Sequence, residues 1–127
     1  MVTLENKSKF FALVVDDEPD LGDIVAEELQ FAGFEAKAVT RVTAAIEFLR
    51  ANRVDIVVSD LRMPDGGAKT LLEAIDTEQI SKPKVFLVVS GYSEVSSEAL
   101  GGRPVTAVFP KPIDFEKLVV TINQNLK

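Results

Sequence analysis

Three short, solid apolar runs constrain this chain more than any other feature. They are residues 10–15 (FFALVV), 56–59 (IVVS) and 85–89 (VFLVV). A run of this kind is buried on both faces, as strands inside a parallel sheet are. Two weaker runs, residues 35–39 and 105–109, read as flanking strands. Helix-period stretches separate the runs. Leu21, Ile24, Val25, Leu29 and Ala32 share one helical face, with Pro19 suited to its first turn and Gly33 to its end. Val42, Ala45, Ile46 and Leu49 form a second stripe, and Ala68, Leu71, Leu72 and Ile75 a third. The last stripe is Phe115, Leu118, Val119, Ile122 and Leu126, with Asp114 as its N-cap. A weaker helix over residues 93–100 carries only Val95, Ala99 and Leu100 before the Gly101-Gly102-Arg103-Pro104 break. Five strand–helix alternations predict a doubly wound (βα)₅ α/β fold with right-handed crossovers.

Composition narrows the chemistry. The 127 residues suffice for one domain, read here as residues 10–127 after a polar, disordered lead-in at residues 1–9. With 46% apolar residues the domain holds a real core without staples. There is no cysteine and no histidine, which removes disulfides, thiolate nucleophiles, His-based triads and ordinary zinc sites. The formal charge of −6 repels nucleic acid and anionic membrane, so neither is an expected partner. No apolar stretch approaches the ~20 residues of a membrane span, and the expected location is the cytoplasm.

In a doubly wound sheet, ligands bind beyond the carboxyl ends of the strands. Asp16-Asp17-Glu18 follows the first predicted strand, and Asp60 ends the third. Ser90-Gly91 follows the fourth and Lys111-Pro112 the fifth. Each alone has an ordinary reading. An acidic stretch after a strand is a helix cap or solvated loop by about three to one. Ser90 alone is a turn former, and Lys111 alone a solvated charge. The convergence of all four segments on one sheet edge reverses those odds. Carboxylates ~4 Å apart repel by ~4 kcal/mol per pair at an effective dielectric near 20. A hard divalent cation, Mg²⁺ or Mn²⁺, offsets that repulsion with oxygen ligands alone. Beside it an aspartate can act as a nucleophile towards phosphorus, with lysine balancing the transferred charge.

The chain resembles the receiver domain of two-component response regulators from residue 10 to residue 126. The resemblance rests on Val14-Val15-Asp16-Asp17-Glu18, Asp60-Leu61-Arg62-Met63-Pro64, Val89-Ser90-Gly91-Tyr92 and Phe109-Pro110-Lys111-Pro112. It implies a flavodoxin-like sheet of order 2-1-3-4-5 and a role in a His-Asp phosphorelay. It implies Asp60 as phosphoacceptor, with Asp17 as a direct metal ligand, Asp16 acting through water and Arg62 ligating by its backbone carbonyl. Ser90 and Lys111 would bind the phosphoryl group, Arg62 and Tyr92 would tune its lifetime, and the Lys111-Pro112 peptide would be cis. The implied donor is a sensor histidine kinase or a histidine phosphotransfer protein, and the downstream effector is not specified. Such a domain is no classical enzyme, although it catalyses its own phosphorylation and dephosphorylation.

The sequence departs from the family in three places. Val108 stands three residues before Lys111, where the family often has a switching aromatic, and Phe109 falls on the opposite strand face. Ala68 stands where an ungapped comparison expects glycine, which predicts a shifted path for the loop after Asp60. The fourth helix is short and glycine-broken. It belongs to the family's usual output face, which is also the candidate face for a homodimer. The competing reading is a receiver-like binding module that signals without phosphate; the complete acidic set and Lys111 weigh against it.

Overall fold

The computed structural model describes residues 10–91 and 98–126. The expected lead-in (residues 1–9), Tyr92 and most of the expected fourth helix lie outside the described residues. The elements run β1 (Phe11–Val15), α1 (Pro19–Phe31), β2 (Glu35–Val39), α2 (Val42–Ala51), β3 (Ile56–Asp60) and α3 (Ala68–Thr77). They continue with β4 (Val85–Ser90), a 3₁₀ turn (Glu98–Leu100), β5 (Ala107–Pro110) and α4 (Phe115–Asn125). All five strands are parallel, in the order β2-β1-β3-β4-β5.

The solid apolar runs became the inner strands. Every residue of β3 and β4 is buried, while β2 and β5 occupy the edges. Side chains alternate between two cores. Leu13, Val57 and Val88 face α2 and α3, packing with Ala45, Leu49, Leu71 and Ile75. Val14, Val58 and Leu87 face the other way, against Val25 and Leu29 of α1 and Leu118 and Ile122 of α4. Truncating a fully buried leucine such as Leu71 to alanine is expected to cost ~2–5 kcal/mol.

Helix ends follow local chemistry. Pro19 opens α1. At its far end Gly33 takes φ 101°, Gly33 N–H donates to the Gln30 carbonyl and Phe34 N–H to the Leu29 carbonyl. Buried Phe34 and Leu29 complete this Schellman termination. Asp114 caps α4 by accepting from Lys117 N–H at 3.2 Å.

Two boundaries differ from expectation. Residues 105–109 were the expected fifth strand, yet the strand begins at Ala107. Thr106 pairs with Phe86 through N–H to carbonyl at 2.8 Å and through its hydroxyl oxygen, which accepts from Phe86 N–H at 3.0 Å. A side chain thus replaces a backbone rung there. Of the expected fourth helix, the described part is only the 3₁₀ turn, which anchors through buried Leu100. Gly101 and Gly102 then both take positive φ, a conformation that ends helix. Arg103 ties this segment to α3 through Asp76, at 2.7 Å.

Candidate phosphoacceptor site

The sheet ladder carries Asp16, Asp60, Ser90 and Lys111 to one edge. Asp60 ends β3 in register with Val89, and Ser90 ends β4 in register with Pro110. The hydrogen bonding continues one step beyond the strands. Asp16 N–H donates to the Val39 carbonyl, Leu61 N–H to that of Val89, and Lys111 N–H to that of Ser90. These bonds fix the start of each loop before any side chain acts.

Oxygen atoms from Asp16, Asp17 and Asp60 lie within 4.8 Å of one another. Asp16 and Asp60 are each only 5% exposed, whereas Asp17 opens to solvent. Glu18 N–H donates to Asp16 Oδ1 at 2.9 Å and orients that carboxylate. Lys111 Nζ stands 2.9 Å from Asp60 Oδ1. Ser90, also buried, and Arg62 line the same cleft of about 230 Å³ with Asp60 and Lys111. Tyr92 lies outside the described residues. The Lys111–Pro112 peptide is cis.

Burial pushes the Asp60 carboxyl up to about 7; Lys111 opposes the shift and neighbouring Asp16 adds to it. Burial acts to lower the Lys111 ammonium, but its hydrogen bond to Asp60 and the charges of Asp60, Asp16 and Glu18 prevail and hold it above its ordinary value. One ammonium therefore faces an excess of negative charge. The donors are all oxygen, two of the three carboxylates are shielded from water and the third is open. That donor set fits a hard divalent cation with some coordination left to solvent or phosphate.

In the loop after Asp60 the left-handed backbone falls on Gly66 and Gly67. Gly67 has φ 103°, and a Cβ there would lie 2.2 Å from the Leu61 carbonyl oxygen. The glycine requirement thus falls one residue before Ala68, which is itself fully buried at the start of α3. On β5, Val108 is 41% exposed, while Phe109 is buried against the α1/α4 core. The two residues point to opposite faces, as the strand alternation required.

Two features were not singled out from sequence. Asp65, in the loop after Asp60, accepts from Val42 N–H at 3.0 Å and Thr43 N–H at 3.3 Å at the start of α2. Its only sequence signal is a missing one, because Arg41 at the N-cap makes no side-chain cap. The second is an apolar cleft of about 480 Å³ beside Lys111, walled by Leu21, Ile24, Pro112, Ile113 and Phe115.

A doubly wound parallel sheet binds its ligands beyond the carboxyl ends of its strands, where this chain gathers carboxylates and a lysine. The family model for the response regulator receiver domain matches residues 12–123, and the chain belongs to that family. It is similar to the response regulator protein PilR of Pseudomonas aeruginosa, 27% identical over 84% of this chain and 24% of PilR. It is similar also to TcrX of Mycobacterium tuberculosis, a probable transcriptional regulatory protein (28%; 91% of this chain, 49% of TcrX). The sensor histidine kinase RcsC of Salmonella typhi matches at 26% over 94% of this chain and 13% of RcsC. The chain therefore spans half or less of these curated relatives. Among solved structures, Vibrio cholerae CheY4 superposes with a TM-score of 0.81 at 23% identity, over 91% of this chain and 98% of that one. A CheY-like receiver domain from Methylobacillus flagellatus gives 0.78 at 27% identity, over 91% and 97%. Receiver domains of two-component systems act in phosphorelays with sensor histidine kinases and bind Mg²⁺ through acidic residues. Among the described residues no helix is long and apolar enough to cross a membrane.

Proposed function

We propose that Asp60 accepts a phosphoryl group from a phosphohistidine on a sensor histidine kinase or histidine phosphotransfer protein. Asp17 and Asp60, with the Arg62 backbone carbonyl and with Asp16 through water, would hold Mg²⁺ or Mn²⁺. The observation that carries this reading is the meeting of three carboxylates within 4.8 Å while Lys111 pairs with Asp60 at 2.9 Å.

An Asp60 oxygen attacks phosphorus as the phosphorus–nitrogen bond to the donor imidazole breaks, and the freed nitrogen takes up a proton. A cation held by these residues would supply Lewis-acid stabilisation of the transferred group. Lys111, held beside Asp60, offers its ammonium to the same oxygens once the acyl phosphate forms. Ser90 lines the same cleft, and its hydroxyl would donate to a phosphoryl oxygen there. Arg62 and Tyr92 stand two residues beyond Asp60 and Ser90 and would govern water access. Attack by water on phosphorus then releases inorganic phosphate and restores the carboxylate.

The apolar cleft of Leu21, Ile24, Pro112, Ile113 and Phe115 opens beside Lys111 and supports docking of the donor protein there. The modified Asp60 would carry charge of roughly −1.5 to −2, by analogy with other phosphoresidues, at the carboxyl end of β3. That charge draws Ser90 and Lys111 inward and biases the packing of β4, the 3₁₀ segment and β5. Titration with Mg²⁺ and beryllofluoride, followed by amide NMR, tests the reading. Shifts centred on Asp60, Ser90 and Lys111 that need Mg²⁺ support it; no Mg²⁺-dependent response refutes it.

A further inference from the structure

Helix α2 lacks an N-cap of its own. Arg41 occupies the cap position with extended backbone (φ −138°, ψ 146°) and no side-chain hydrogen bond to the helix. The first amides of α2 are served instead by Asp65, from another loop altogether. That loop, residues 61–67, begins at the acceptor. Leu61 N–H is fixed to the Val89 carbonyl, and Leu61 and Met63 are buried on either side of exposed Arg62. Gly66 N–H closes a turn onto the Met63 carbonyl at 3.0 Å, and Gly67 crosses against the Leu61 backbone. The span that carries the Arg62 carbonyl is therefore pinned at its start by β4, in its middle by the core and at its far side by Asp65. Leu61 and Met63 share an apolar core with α2 and α3, and Asp65 adds hydrogen bonds to the first amides of α2.

We propose that Asp65 is a positioning residue for the cation site: by bonding the first amides of α2 it clamps the acceptor loop and holds the Arg62 carbonyl where a cation at Asp17 and Asp60 can use it. This rests on the proposed Mg²⁺ site. A group that orients ligands without touching the ion typically governs affinity by ten- to hundredfold. Coupling of this kind is reciprocal, so occupation of the site strengthens the Asp65 bonds to α2.

The test separates positioning from plain capping. Asp65→Ala removes both the cap and the tether. Asp65→Asn keeps an acceptor oxygen and removes the charge. Adding Arg41→Ser to Asp65→Ala gives α2 a local cap without a tether. Asp65→Ala is expected to lower the melting temperature by about 4 °C and to weaken Mg²⁺ binding about tenfold by titration calorimetry. Arg41→Ser should recover the melting temperature but not the affinity, while Asp65→Asn stays close to the parent in both. In the parent chain, saturating Mg²⁺ should slow hydrogen exchange at the Val42 and Thr43 amides. Wild-type Mg²⁺ affinity in Asp65→Ala, or joint recovery of affinity and stability with Arg41→Ser, would overturn the positioning role alone. Loss of affinity in Asp65→Asn equal to that in Asp65→Ala would replace it with a long-range charge effect. Failure of the parent chain to bind Mg²⁺ would overturn the site reading and this inference together.

Discussion

Lys111 reaches across the end of β4 to place its ammonium 2.9 Å from the Asp60 carboxylate on β3. The proposed acceptor is thus paired before any phosphate arrives, and the pair has two opposed consequences. Lys111 favours the ionised form of the buried carboxyl, and it would compete with a cation at the proposed site for the same oxygen. In Lys111→Ala, Mg²⁺ affinity should hold or rise, because a competing positive charge is gone. Labelling of Asp60 by acetyl phosphate should slow by roughly 10², the loss typical of one transition-state donor. Calorimetry and a labelling time course measure the two effects, and parallel loss of both would contradict this division of roles.

The raised Asp60 carboxyl gives a signed pH dependence. Its folded value of about 7 lies above its ordinary 3.8. Between those values the folded chain retains a proton that the unfolded chain has released. This contribution to metal-free stability is full below the lower value and lost as pH rises towards about 7. Mg²⁺ requires the ionised carboxylate, so its affinity should rise with pH, approaching tenfold per unit below about pH 7, then level off. Affinity that stays flat from about pH 5.5 to about pH 8 would show that Asp60 is already ionised throughout.

Gly67 carries a conformation that alanine adopts only under strain, and the added Cβ would meet the Leu61 carbonyl oxygen at 2.2 Å. Gly67→Ala should cost at least ~2 kcal/mol in urea unfolding and should disturb Mg²⁺ binding through the acceptor loop. Gly91→Ala is the control, because its Cβ would meet nothing within 4 Å and its φ is not in the left-handed region. Equal stability of the two variants would show that the loop adapts.

Arg62 is exposed between two buried neighbours and lines the acceptor cleft. Arg62→Ala should change the lifetime of the acyl phosphate several-fold while leaving Mg²⁺ affinity close to the parent, because the proposed metal site uses only its backbone carbonyl. Decay of phosphorylated protein, tracked by intact mass, measures this. An unchanged lifetime would remove the side chain from that role.

Much of the fold and site was legible in the residues themselves. Solid apolar runs specify inner parallel strands because both faces must be buried, and β3 and β4 are buried throughout. Asp16, Asp17, Asp60 and Lys111 could be placed together because each lies at or just past the carboxyl end of a strand. A parallel sheet brings all such ends to one edge. Opposite faces for Val108 and Phe109 came from period-2 alternation alone. Other features were not legible. The Asp65 cap joins segments far apart in sequence, and capping rules look only for local acceptors. Thr106 delays β5 through a side-chain bond to Phe86 that no propensity encodes. Gly67 rather than residue 68 bears the glycine requirement because the loop crosses Leu61 one position early, a steric fact of the folded chain.

The most direct measurement is intact-mass analysis of the chain and its Asp60→Asn variant after incubation with acetyl phosphate, with and without Mg²⁺. The account predicts one added phosphoryl group on the parent chain, only with Mg²⁺, and none on Asp60→Asn. Labelling that persists in Asp60→Asn, or that proceeds equally without Mg²⁺, would contradict it.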